Sequence, residues 1–324
     1  MGEVDDRPTI GSTLPCGGTA LSGGAKIRDT RLIFPENPLE YHLENYHIYS
    51  LSGLRMPKIT LDHSLCVRCG QCTLVCPNHI FQRESNSDYP TCIEEGEDIC
   101  IRCYHCVAAC PAAGLTIDGI EHKDCSEYDN NVFIRFDHVA HLVRSRRSIR
   151  RYSDKHVKGQ VIEQLLDVVR WAPTAKNGLP VKWVIVNRAE KVRELAGLIM
   201  NWIKEQPNSE RMVKEWDRGG DPIFRGAPCV IGAYTDDTSA LWSPIDTAIA
   251  VETLDICAVA MRLGSCWAGI FVRAAQSSHK PALNKWLGLN ETETIHGGLM
   301  LGHIGEETYQ CLPYRPEAPK IWIK

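Results

Sequence analysis

The chain has 324 residues, a formal charge of −4 and 44% hydrophobic residues. That length predicts two or three domains with a sizeable buried core, and the slight acidity gives no support for a nucleic-acid footprint. The most apolar long stretch, 245–272, carries Asp246, Glu252, Asp255 and Arg262, so it reads as buried helix and strand and not as a membrane span.

Residues 1–55 are expected to be a disordered extension, or the product of a start codon assigned too early: Gly, Pro, Ser and Thr crowd positions 8–24 and no period emerges. The N-terminus lacks the basic-then-apolar order of a signal peptide. GGTALSGGAK at 17–26 lacks the Gly-Lys-Ser/Thr ending of a phosphate loop.

A cysteine-rich domain is expected over residues 56–120. Cys66 to Pro77 reads CVRCGQCTLVCP, and Cys100 to Pro111 reads CIRCYHCVAACP. Both are C-x-x-C-x-x-C-x-x-x-C-P, the run in which the fourth Cys of each motif ligates the other motif's iron–sulfur cluster. The first three thiolates suit one tight loop around a corner of a cubane, and the fourth lies about a turn further round. One 4Fe–4S cluster is thus assigned to Cys66, Cys69, Cys72 and Cys110, the other to Cys100, Cys103, Cys106 and Cys76. A zinc site more often pairs two knuckles across a longer spacer or mixes in His. The stretch from Lys58 to Ile120 resembles a two-cluster bacterial ferredoxin, with a short apolar strand expected after each cluster loop. The seven remaining cysteines (Cys16, Cys92, Cys125, Cys229, Cys257, Cys266, Cys311) follow no framework spacing. Such a remainder argues for a reducing cytoplasm.

A polar linker is expected over 121–132, then a second domain over 133–324. The pattern predicts a helix from about Lys158 to Pro173 with Val161, Leu165, Val168 and Val169 on one face, and a strand over Val181–Asn187. It predicts a helix over Ala189–Glu205, a polar loop over Asn208–Ala227 and a strand over Pro228–Tyr234. Next come an apolar helix over Ser243–Leu263 and strands over Cys266–Val272 and His296–Ile304. Helices and strands intermix without regular βαβ spacing, so the fold class is α+β.

RRSIRRY at 146–152 gathers guanidinium groups and a hydroxyl of the kind a phosphate takes. A basic run before a helix is more often a solvated face. It is followed by APTAKNGLPVKW at Ala172, FRGAP at Phe224, LGSCWAGIF at Leu263, and LGHIG with PYR near the end. In that order and spacing, residues 137–324 look like a member of the nitroreductase superfamily. The resemblance implies FMN at the interface of a homodimer. Arg146, Arg147, Ser148 and Arg150 would hold its phosphate and ribityl chain. Pro173, Thr174 and Asn177 match the segment along the isoalloxazine, Gly269 the backbone beside the flavin, and Arg315 the basic residue of the tail. Leu179, Pro180 and Val181 stand where the family often has Gln-Pro-Trp. The whole looks like a ferredoxin–nitroreductase fusion protein.

No G-x-G-x-x-G follows a strand, so a dinucleotide fold is not expected. The scattered histidines read as surface or satisfied core residues. Trp216, in the expected loop, is weighed equally between a flavin-side pocket and core packing. The reading is an iron–sulfur flavoprotein oxidoreductase that passes electrons from two 4Fe–4S clusters to FMN and on to a small acceptor, a nitroaromatic or quinone by resemblance. Reduced ferredoxin, another low-potential donor or NAD(P)H would supply the electrons. No residue is assigned as catalytic acid or base. The alternatives are a relay to a partner protein, and a specialised flavin reductase or dehalogenase of the same superfamily.

Overall fold

The computed structural model describes residues 56–86, 88–236, 241–306 and 309–323, all within one unit, Gly53–Lys324. The expected extension, 1–55, lies outside them.

The cysteine module is small because each half supplies only a loop, two short strands and one or two short helices. Strand β1 (Ile59–Leu61) opens it, helix α1 (Gln71–Val75) follows the first loop, and strand β2 (Phe81–Gln82) follows that. The second half has one helix more: β3 (Thr91–Cys92), α2 (Gly96–Ile99), α3 (His105–Ala108) and β4 (Leu115–Ile117). β1 pairs antiparallel with β4, joining the two ends of the module, and β2 pairs with β3. Ile80, Phe81, Val107, Leu115 and Ile117 pack with Cys72, Cys76 and Cys106 as the shared core. The cysteines are therefore part of what the module buries.

The larger part is a four-stranded antiparallel sheet in the order β5-β6-β8-β7, with β5 at Lys182–Val186, β6 at Cys229–Asp236, β7 at Leu263–Trp267 and β8 at Glu293–His303. β6 is buried along nearly its whole length, so its sequence is apolar from Cys229 to Tyr234. Its alternation divides two cores. Cys229, Ile231 and Ala233 face a cluster built with α5 (Gly159–Val169) and α8 (Ser243–Ala260). Val230 faces a second cluster built with α6 (Ala189–Lys204), α9 (Gly269–Ala275) and α10 (Lys280–Leu287). Gly232 and Gly298 pair across β6 and β8, and a Cβ on either would press on the Phe271 ring. The missing side chains make the seat for that ring, which also meets Phe224 edge-on at 6.0 Å.

Several expectations are corrected. Val168 is 49% exposed; Ile162 joins Leu165 and Val169 on the buried face, because a period of 3.6 carries 168 off it. The strand expected over Cys266–Val272 stops at Trp267, and residues 269–275 are helical so that Phe271, Ala274 and Ala275 enter the core. The expected polar loop contains helix α7 (Glu210–Asp217), whose Met212, Val213 and Trp216 pack on α6. Trp216 is therefore a packing residue, and the Arg193 guanidinium lies 3.5 Å from its ring centroid. The apolar helix ends at Ala260, not Leu263, since Leu263 begins β7.

Phe271→Ala empties the seat left by the two glycines. It should cost about 3–5 kcal/mol, read as a lowered urea midpoint with an unchanged slope.

Candidate functional site

Two groups of thiols form. Cys76, Cys100, Cys103 and Cys106 line a small enclosed cavity with Ile59, Ile80, Phe81 and Ile117. Burial pushes the Cys106 thiol up to about 12, and the nearby Cys103, Cys76 and Cys100 push the same way. Cys72 is likewise pushed up, by burial first and then by Cys66, Cys110 and Cys69 beside it. Each neighbourhood thus draws three thiols from one motif and one from the other. Among the described residues, no three His, Cys, Asp or Glu side chains lie close enough to share a single ion. The thiols of the Cys76, Cys100, Cys103 and Cys106 set stand around the cavity they line.

The backbone of both loops suits a polynuclear anion. Arg68, Gly70 and His79 have positive φ, and so do Arg102, Tyr104 and Ala113 at the equivalent places of the second motif. Alternating right- and left-handed residues turns successive N–H groups inward as a nest, a geometry that iron–sulfur sites use. Four thiolates in apolar surroundings need cationic iron for charge compensation, and thiols pushed up by burial do not ionise without it. The donor set therefore fits an iron–sulfur cluster.

The basic segment lies against the edge of the sheet. Ser148 bridges to Ser265 on β7, and Ile149 N–H donates to the Ser265 carbonyl at 2.8 Å. Gly264 permits this approach: a Cβ there would stand 2.8 Å from Ile149. Arg146 is committed to a buried partner, Asp255, at 3.0 Å; Ser265 Oγ donates to the other oxygen of the same carboxylate. Arg147 is held differently. One of its terminal nitrogens donates to the carbonyls of Arg144 and Arg146, its guanidinium lies 5.3 Å from the Tyr309 ring, and its buried Nε has no partner. An orphaned guanidinium donor beside a serine hydroxyl fits a phosphate or ribityl oxygen. Arg150 is exposed at the rim of an open cleft of about 580 Å³ shared with Arg225 and Asp221. Arg315 is exposed in the extended tail, which reaches Arg147 through Tyr309.

The Pro173–Leu179 segment is bent by three non-glycine residues of positive φ, Lys176, Asn177 and Leu179. Each costs about 1–2 kcal/mol, so the surrounding bonds must hold the conformation. Thr174 Oγ1 accepts from Leu179 N–H at 3.1 Å, and the Asp246 carboxylate accepts from Ala175 N–H at 3.0 Å. Asn177 Nδ2 donates to the carbonyls of Ile101 (3.3 Å) and Arg102 (3.1 Å), inside the second cysteine motif. Gly269 begins α9, next to the half-exposed Trp267. The sequence reading missed Asp246, Asp255 and the two carbonyls. Both acids lie on an apolar helix, and a buried acid there is the signal that a distant donor must meet it.

A model of the nitroreductase family matches residues 143–303, and a model of the 4Fe–4S dicluster domain matches residues 65–115. The chain thus carries a 4Fe–4S dicluster domain followed by a domain of the nitroreductase family. Its larger domain has the α+β fold of that family, and the protein is an oxidoreductase. It is similar to an Archaeoglobus fulgidus protein named "Putative NADH dehydrogenase/NAD(P)H nitroreductase", at 25% identity over 51% of this chain and 85% of the relative. Among solved structures, a nitroreductase with bound FMN from Bacteroides fragilis is 21% identical, with a TM-score of 0.49 over 57% of this chain and 97% of its own. One from Desulfitobacterium hafniense, also with bound FMN, is 20% identical, with a TM-score of 0.48 over 55% and 93%. Among the described residues no helix is long and apolar enough to cross a membrane.

Asp255→Ala strands the Arg146 charge in a largely buried place and should cost about 2–4 kcal/mol in chemical denaturation. Asp246 is 3% exposed, and burial raises its carboxyl above the usual value, against the lowering effect of Ala175 N–H. The folded state therefore holds that proton more tightly than the unfolded chain. Stability should fall as pH rises from the ordinary carboxylate value through the raised one, and Asp246→Asn should flatten this slope in denaturation curves taken across that window.

Proposed function

We propose that the protein is an FMN-dependent oxidoreductase in which two 4Fe–4S clusters pass electrons to FMN and FMN reduces a small acceptor, such as a nitroaromatic or a quinone. The observation that carries this reading is the pair of hydrogen bonds from Asn177 to the second cysteine loop. They join the segment matching the flavin-side motif to a loop whose thiols suit a cluster. FMN, when bound, converts single electrons into the two-electron reduction of an acceptor on its face. The chain's own residues hold and position the groups. Cys66, Cys69, Cys72 and Cys110 take one cluster, and Cys76, Cys100, Cys103 and Cys106 the other. Arg147, Ser148 and Arg150 supply phosphate and ribityl donors, with Arg146 bracing their backbone through Asp255.

The flavin site takes two copies of the chain. Asp246, which holds Ala175, and Asp255, which holds Arg146, are nine residues apart on one helix. That separation is about 13 Å along the axis and half a turn around it, so the two segments lie against opposite faces. A single flavin touching both kinds of segment takes its phosphate donors from one protomer and Thr174 and Asn177 from the other. An apolar surface supports such pairing. Phe133, Ile134 and Phe136 at the start of helix α4 (Phe136–Ser145), Val139 and Val143 along it, and Trp322 in the tail are all exposed.

The test is anaerobic reduction of the holoprotein by reduced ferredoxin and by NAD(P)H, side by side. Rapid bleaching of the flavin by ferredoxin supports the reading, and bleaching by NAD(P)H alone refutes the route through the clusters. Arg147→Ala should weaken FMN binding about tenfold to a hundredfold in equilibrium titration, as loss of a hydrogen bond to a charged group does.

A further inference from the structure

The two cysteine motifs are equivalent in sequence and in backbone, yet their surroundings differ. The first loop faces outward: Cys69 is exposed, and Val67 and Leu74 beside it are 64% and 73% exposed. Its Arg68 turns back on its own module, donating to the Tyr89 hydroxyl at 2.9 Å and lying over that ring. None of the second set, Cys76, Cys100, Cys103 and Cys106, is exposed. Its loop also carries the two carbonyls, Ile101 and Arg102, that accept from Asn177, and both lie between the ligand positions Cys100 and Cys103.

Asn177 is suited to join two sites. Both acceptors are carbonyl oxygens, so the amide must turn its NH2 toward them, and its two hydrogens match the two acceptors. The residue is held in a left-handed conformation, with Lys176 and Leu179 in the same region on either side. Asp246 fixes the start of the bend and Thr174 its end. A strained turn anchored at both ends holds a bridging amide more rigidly than a relaxed loop would.

We propose that the cluster held by Cys76, Cys100, Cys103 and Cys106 is the one that hands electrons to the flavin, with Asn177 as the positioning residue between its loop and the flavin site. The proposal rests on the reading of the chain as a cluster-to-flavin enzyme. Reduced ferredoxin, a low-potential one-electron donor, loads the outward-facing cluster of Cys66, Cys69, Cys72 and Cys110, and the electron then moves to the inner cluster. Each further step oxidises that inner cluster by one electron and reduces the flavin by one. Two such steps, with protons drawn from solvent, complete the flavin's reduction.

The test uses the full chain loaded anaerobically with iron, sulfide and FMN. Cys69→Ser leaves the inner cluster, and Cys103→Ser leaves the outer one. Redox titrations followed by EPR are run on each variant with FMN bound and with FMN stripped. Bound FMN should shift the midpoint potential and the spectrum of the cluster that remains in Cys69→Ser, and leave the cluster of Cys103→Ser unchanged. The reverse pattern, or equal shifts in both, overturns the assignment. Asn177→Ala keeps every ligand and decides the matter if a serine variant fails to assemble. At full iron content its single-turnover reduction by ferredoxin, counted per bound flavin, should fall about tenfold, as expected when two bonds that position a reacting pair are lost. A wild-type rate in Asn177→Ala overturns the bridge. The wild-type protein separates this from the reading beneath it. If ferredoxin reduces its clusters but not its flavin, the cluster-to-flavin reading itself fails and the assignment with it.

Discussion

The site is arranged around one half-buried helix, Ser243–Ala260, that carries two buried acids half a turn apart. A carboxylate inside a protein must find donors, because leaving it unpaired costs several kcal/mol. Asp255 finds Arg146 and Ser265 and so fastens the basic segment to the sheet edge. Asp246 finds Ala175 N–H and so fastens the bent segment that carries Asn177. Both segments are otherwise loops, and one of them is strained. The helix supplies the rigidity that they lack, and the half turn between its acids sets the two segments apart.

The cysteine module is governed by a different economy. With so little chain, it has no large apolar core, and Cys72, Cys76 and Cys106 stand among the residues it buries. Small domains of this kind commonly depend on a metal for stability. Its duplicated loops share the same left-handed positions, but the first motif uses Gly70 where the second uses Tyr104. Tyrosine accepts there a conformation that glycine adopts freely. The duplication is thus preserved in backbone while the side chains have diverged toward two different surroundings.

What the sequence disclosed was local. Ligand spacing within each cysteine motif is set by a few consecutive residues, so the 4Fe–4S character of residues 65–115 was legible without the fold. The long helix after Lys158 and the strands near 182–186 and 229–236 were readable from apolar pattern. What was hidden depended on partners far along the chain. Asn177 and its acceptors are 75 and 76 residues apart, and Arg146 and Asp255 are 109 apart. Nothing near Asn177 in sequence announces a second role. The helix at 269–275 was misread for a related reason: a short apolar run suits strand or helix equally, and the seat for Phe271 between Gly232 and Gly298 decides which. The helix at 210–217 was overlooked because only three of its residues meet the core.

The exposure of Cys69 bears on how such a protein ages in air. Oxidation of thiolates follows access, and the loop that faces outward is the one that oxygen and peroxide meet first. On the route proposed above, damage would therefore begin at the corner that receives electrons, while the cysteines nearest Asn177, none of them exposed, are still shielded. A partly oxidised molecule would keep its inner wiring and lose its connection to the donor. It would then fall silent without becoming a leak of electrons to oxygen.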